Sequence, residues 1–164
     1  GELNFISADY TVMDESKASD ELITSPSPTS YYVLFNVNEA PFDDVRVRQA
    51  FSMAVNRDEV ASACGSSYEA SDFFVAKHLK SSASGKDWAE EAEEDPIGFD
   101  PDKAKELLAE AGYPDGEGFS AITYKYPSLQ LDSDMAKALQ AQWKTNLGIE
   151  VVLQAEEQQV QVAE

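Results

Sequence analysis

YYVLFNVNEAPFDDVRVRQAFSMAVNRDEV, residues 31–60, decides how the rest of the chain is read. Tyr31, Tyr32, Val33, Leu34 and Phe35 form an unbroken aromatic and β-branched run, which predicts a buried strand covered on both faces. Pro41 and Phe42 close a turn. Asp43 or Asp44 then offers a side-chain acceptor to the free amides of a helix start. Val47, Ala50, Phe51, Ala54 and Val55 mark one helical face, and Arg46, Arg48, Gln49 and Ser52 are polar. Asn56, followed three residues later by Glu59, has the pattern of a capping box and predicts a second helix.

Working outward, the whole chain of 164 residues suffices for one domain with a single core, and a hydrophobic fraction of 43% is that of a globular protein. The net charge is −19, from 31 acids against 12 Lys and Arg. Such a field repels nucleic acid and anionic membranes, so neither is an expected partner; solubility, or an acidic proteome, is the plainest meaning of the charge. No apolar run approaches the roughly 20 residues that span a bilayer. The opening residues GELNFISADY lack the basic and apolar regions of a signal peptide, so a signal, if the protein is exported, is expected outside this sequence. Cys64 is the single cysteine, which excludes an internal disulfide and a Cys-based metal cluster and predicts a small residue at a helix end.

Ahead of the central block, residues 1–6 read as the end of a strand entering from a larger protein. Residues 9–22 read as a short helix and turn, residues 21–25 as a short strand, and Pro26 and Pro28 as a kinked loop. Beyond the block, residues 65–98 lose all periodicity. They hold the pair Phe73-Phe74, a Ser-rich stretch, one or two helical turns near residues 88–94, and the acidic run at residues 90–95. A solvated face is the expected role of that run; the spacing and glycine of a calcium loop are absent.

DPDKAKELLAEAG, residues 100–112, is the cleanest helix: Asp100 caps, Pro101 takes the first position, Gly112 ends it, and Ala104, Leu107, Leu108 and Ala111 share a face. Tyr113-Pro114-Asp115-Gly116 is a turn. A strand over residues 119–126 places Ile122, Tyr124 and Tyr126 on one side, and a helix over residues 132–147 turns Met135, Leu139 and Trp143 inward and stops at Gly148. Ile149, Val151 and Leu153 alternate along a further strand. Strand, helix, strand at this length is a βαβ unit, so the two strands are expected to run parallel with a right-handed crossover. The closing AEEQQVQVAE is polar and expected to hang free or to join a partner lobe. The class is α/β with a small mixed sheet.

Chemistry is sparse. His78 stands alone, which removes histidine-based triads and metal sites. No Gly-rich phosphate loop is present, and carboxylate pairs carry no information among 31 acids. No constellation argues for an enzyme or a cofactor.

Phe35-Asn36, the run from Ala40 to Ala50 (APFDDVRVRQA), Asn56-Arg57, FDPDKAKELLAEAGYPDG at residues 99–116 and QWKTNLGIEVVL at residues 142–153 together resemble the extracytoplasmic solute-binding proteins of oligopeptide and dipeptide ABC importers, bacterial family 5. The resemblance implies a periplasmic-binding-protein-like type II fold. Residues 1–164 would be a single α/β lobe, the second of two, with the first lobe absent. It implies hinged closure on a peptide, delivery to permease subunits, an extracytoplasmic location in the periplasm or as a surface lipoprotein, and no cofactor or catalysis. An isolated lobe is expected to be monomeric.

By the same resemblance, ligand would be met by Tyr32 and Leu34 on the strand before Phe35-Asn36. Ser128 and Asp132 at the start of the long helix, and Phe73 and Phe74 in the loop after the second helix, would complete the set. Read as residues alone, Tyr32 and Leu34 also fit a core, Asp132 a helix cap, and Phe73 and Phe74 the underside of their own loop. The acidic group that pairs with a peptide's amino terminus in these proteins is expected outside this sequence. Leu34 stands where well-studied peptide binders carry a polar, acidic residue, which keeps dipeptides, nickel chelates and sugars open as ligands. A protein-interaction module using the acidic face is the alternative from another class. Arg46 and Arg48 point in different directions around their helix and are expected to tie it to nearby carboxylates or carbonyls.

Overall fold

The helix at the centre of residues 31–60 forms as α1, Val45–Met53, and Asp44 starts it by accepting from the Arg46 amide. In the computed structural model the described residues are 27–76, 79–91 and 96–157. Asn56 caps α2, Arg57–Ala63, accepting from the amides of Asp58 and Glu59 while its own amide nitrogen reaches Glu59 Oε1 at 3.1 Å. The capping box is thus a side-chain version of the expected one. Cys64 is the residue that ends α2, and it is buried. One turn of helix, α3, covers Trp88–Glu91. Asp100 caps α4, Pro101–Glu110, with Pro101 at its first position and Ala104 and Leu108 buried, as the pattern predicted.

The βαβ unit is present. β1, Ile122–Pro127, runs parallel to β2, Val151–Glu156, with Ile122 opposite Val151 and Pro127 opposite Glu156. The helix between them, α5, spans Gln130–Leu147 and buries Ala136, Leu139, Trp143 and Leu147. It begins two residues earlier than the sequence predicts. β2 also runs further, taking in Ala155 and Glu156, which the sequence assigns to a free polar tail.

The predicted strand at residues 31–35 is not a strand. The segment lies without ladder bonds, Val33 and Phe35 half-bury against the core, and Tyr31, Tyr32 and Leu34 stay exposed. Aromatic and β-branched composition measures fit to a pleated, covered surface, and here one side of the segment has no cover. The strands and helix expected within residues 1–25, His78, residues 92–95 of the acidic run and the tail from residue 158 lie outside the described residues.

Helix packing follows from where polar atoms need partners. Arg46 Nη1 donates to the Glu110 carbonyl at 2.7 Å, and the Asp100 amide donates to the Met53 carbonyl at 2.9 Å. The start of α1 therefore meets the end of α4 and the reverse, so the two helices are antiparallel. The guanidinium also sits at the negative end of α4. Arg48 turns the other way, to the carbonyls of Phe42 at 2.6 Å and Asp43 at 3.0 Å, so both arginines are structural ties.

α5 locks the α1–α2 corner. Trp143 Nε1 donates to the Phe51 carbonyl at 3.0 Å, and Asn146 Nδ2 donates to the Ala54 carbonyl at 2.8 Å. The Gln142 amide bridges the Asn56 backbone, accepting from its N–H at 2.6 Å and donating to its carbonyl at 3.2 Å. Around these bonds sits the core: Val47, Phe51, Val60, Leu108, Leu139, Trp143, Leu147 and Val151, with Phe51 stacked on Phe119 at 5.6 Å and tilted against Trp143 at 5.3 Å.

Two glycines cross at the far end of α5. Gly148 closes the helix at φ +72°, and a Cβ there would lie 2.6 Å from the Asp115 carbonyl oxygen; a Cβ on Gly116, φ +78°, would lie 2.9 Å from the Leu147 oxygen. Gly112 has φ +99° but open space around it. Gly112→Ala should therefore cost only the left-handed strain, about 1–2 kcal/mol. Gly148→Ala adds a backbone clash and should cost clearly more, a ranking that urea unfolding of the two variants checks.

Candidate functional site

Loop residues 65–76 wrap back onto the exposed run at residues 31–34. Tyr32 and Phe74 meet with ring centroids 4.9 Å apart, and Tyr31 meets Tyr68 edge-on at 6.0 Å. Tyr32 is 56% exposed and Phe74 69% exposed, so the pair is neither core nor the underside of the loop. Phe73 turns the other way, half-buried, with its ring 6.3 Å from Trp88. Trp88 in turn ends a small hairpin, where its amide donates to the Leu79 carbonyl at 2.9 Å and Lys80 pairs with Asp87. Arg57 Nη1 lies 3.4 Å from Asp72 Oδ1 and fastens the loop to the start of α2.

Leu34 is 82% exposed at the rim of a shallow hollow whose walls include Phe35, Phe42, Thr123, Tyr124 and Trp143. Tyr124 links this hollow to the opposite end of the candidate set. Burial, and then the charge of Asp132, push its phenol up from the ordinary value. Asp132 lies in the first turn of α5, partly buried, and burial pushes its carboxyl above the ordinary carboxylate value. It does not cap the helix. Leu129 holds the cap position, no side chain bonds there, and Gln130 braces the turn through Asp134 at 2.9 Å. Ser128 is exposed, its amide donating to the Glu156 carbonyl at 2.9 Å.

Five of the six residues thus fall into two patches. Tyr32 and Phe74 touch, with Leu34 along the same segment; Ser128 and Asp132 stand where β1 gives way to α5. Phe73 belongs to the scaffold of the loop. Sequence reading passed over Tyr31, Tyr68 and Tyr124. Tyr124 shares one strand face with Ile122 and Tyr126 as expected and is half-buried there, and its nearness to Asp132 follows from the helix starting at Gln130. Among the described residues no group of His, Cys, Asp and Glu side chains is placed to hold a metal ion, and no helix is long and apolar enough to cross a membrane.

Asp132 carries a pH prediction. Its folded-state pKa lies above 3.8, so the folded chain holds its proton more tightly than the unfolded chain. Its own contribution to stability is fully present below 3.8 and is lost as pH rises through the interval up to the folded value. Asp132→Asn removes that decline, so its stability relative to the parent should improve between about pH 3 and about pH 7 in urea titrations. Cys64 gives a second. It is 1% exposed, and burial, then Asp134 and Asp132, push its thiol up. It should resist alkylation in the folded chain and react fully in denaturant, as mass spectrometry would read.

The arrangement is an α/β unit with a βαβ element and an exposed ring-bearing loop, and comparison with known proteins gives it a class. The chain belongs to the bacterial extracellular solute-binding proteins, family 5 (middle part), which matches residues 1–164. It is similar to the glutathione-binding protein GsiB of Salmonella typhimurium, 36% identical over 97 residues, 58% of this chain and 17% of the relative. It is also similar to heme-binding protein A of Haemophilus influenzae, 34% identical over 116 residues, 68% of this chain and 20% of the relative. The chain therefore spans about a fifth of the length of these curated relatives.

Among solved structures, the periplasmic oligopeptide-binding protein OppAIV of Borrelia burgdorferi aligns at TM-score 0.66 and 30% identity, over 78% of this chain and 24% of that one. AppA of Bacillus subtilis, an oligopeptide-binding protein solved with a nonapeptide, aligns at TM-score 0.70 and 24% identity, over 94% and 32%. The expected mixed α/β, type II fold is confirmed by these neighbours. The relatives are solute-binding proteins, not enzymes.

Proposed function

We propose that this chain is the second lobe of a solute-binding protein that captures peptides in a cleft and delivers them to the permease of an ABC importer. The observation that carries the reading is the family match over the whole chain together with the peptide-binding character of its neighbours: oligopeptide-binding proteins from Borrelia burgdorferi and Bacillus subtilis, and a murein tripeptide-binding protein from Escherichia coli. Relatives that take other solutes, heme-binding protein A and NikA in complex with Fe(III)-EDTA, make a non-peptide ligand the alternative.

The geometry supports a wall of a cleft rather than a closed pocket. Tyr32, Leu34 and Phe74 present apolar surface outward, and Ser128 and Asp132 present polar groups at the carboxyl end of a parallel strand, the place where open α/β sheets meet ligands. Peptide backbones held by main-chain hydrogen bonds and water-filled side-chain pockets give the broad tolerance such a receptor needs. In this reading the protein works outside the cytoplasm, in the periplasm or as a surface lipoprotein, without cofactor or catalysis. This lobe alone is monomeric.

Titration of the full-length protein with a peptide library should show lobe closure and affinity on the order of micromolar or tighter for some extended ligand. The isolated 164-residue chain should bind the same ligand far more weakly, because one wall leaves the ligand wet on its other side. Silence toward peptides beside a clear response to heme or a metal chelate would replace the peptide reading with the alternative.

A further inference from the structure

The acids of this chain outnumber its cations beyond any pairing. With 31 Asp and Glu against 12 Lys and Arg, 19 carboxylates are left over even if every cation takes one. Cations are also spent elsewhere: Arg48 donates to the carbonyls of Phe42 at 2.6 Å and Asp43 at 3.0 Å. Among the described residues no charged side chain is buried, so the surplus they carry lies at the surface, where dissolved ions reach it.

Two effects of salt oppose each other on such a surface. Folding gathers like charges that the unfolded chain holds further apart, and their repulsion works against the compact state. Added salt shortens the reach of that repulsion, from about 10 Å at 0.1 M to about 3 Å at 1 M. Salt also weakens ion pairs, but pairs with both partners exposed contribute little to begin with. Lys103 with Glu106 at 3.0 Å and Lys144 with Glu150 at 2.6 Å are of that kind. The surplus of acids therefore decides the sign, and salt stabilises.

We infer that this lobe is built to fold in a salt-rich medium, and that its carboxylate surface leaves it prone to opening at the ionic strength of dilute buffer. Dissolved cations take the place of the Lys and Arg that the sequence does not supply. The requirement holds whatever the ligand, so it stands apart from the peptide reading above.

Hydrogen exchange of the full-length protein, read by mass spectrometry on peptides from α1 and α5 in about 0.1 M and about 2 M KCl, tests this. Exchange there, relative to the unfolded chain, should slow at least about tenfold from the lower salt to the higher. Glu39, Glu91, Glu117 and Glu157 are exposed. Glu39→Lys, Glu91→Lys, Glu117→Lys and Glu157→Lys together move the net charge of this chain from −19 to about −11, two units for each. In the lower salt that variant should exchange at least about threefold more slowly than the parent, and gain less from the higher salt. The same four positions changed to Gln, which removes charge without reversing it, should fall between the two. Exchange that is equal in both salts, or faster in the higher, would overturn the salt requirement. So would charge variants that keep the parent's whole response, because salt would then be acting through apolar burial.

Discussion

A helix that ends inside a protein leaves carbonyl oxygens without partners, and α1 ends against α2 in the middle of this fold. The carbonyls of Phe51 and Ala54 are taken up by Trp143 and Asn146, and Gln142 one position before Trp143 bridges the backbone of Asn56, whose carbonyl also accepts from the Val60 amide. Leaving such a group buried and unpaired costs about 1–3 kcal/mol each, so α5 has one acceptable rotation and height against the corner. Once α5 is set, the rest follows. Its two ends fix β1 and β2, Gln140 fastens the helix to the Val151 carbonyl at 2.6 Å, and α1 carries α4 with it through Arg46 and Asp100.

Much of this was readable from residues whose meaning is local. Asp100, Pro101 and Gly112 bound a helix through the needs of its own ends, and the alternation at Ile122, Tyr124 and Tyr126 with Val151 and Leu153 bounds a strand pair around a helix. Residues 31–35 failed the same test because a strand is a relation to a neighbouring chain, and composition cannot supply the neighbour. The ties of Gln142, Trp143 and Asn146 were equally hidden: their partners lie 86 to 92 residues away, and an amide side chain on a helix surface looks the same whether it meets water or a carbonyl. Of the candidate site, the aromatic composition of the loop was visible, but not that Phe74 and Phe73 part company, one toward Tyr32 and the other toward Trp88.

The two patches of the candidate site stand on supports of different kinds. Ser128 and Asp132 sit at the junction of β1 and α5, held by the same helix that organises the core, so their spacing is inherited from the fold. Tyr32 and Phe74 are held by ring contact and by a loop that the ion pair of Arg57 with Asp72 ties to the start of α2. A partly exposed pair of that kind contributes at most about 1 kcal/mol, so it positions the loop more than it stabilises it.

The separation between the loop and the corner has an evolutionary reading. Substitution at position 74 changes an exposed ring and touches none of the buried cluster, whereas position 143 serves a carbonyl, a ring stack and the strand at once. A lineage can therefore explore new side chains at exposed loop positions such as 74 while holding the residues around Trp143 constant. Paralogues built on this plan would diverge first in what they recognise and last in how they fold.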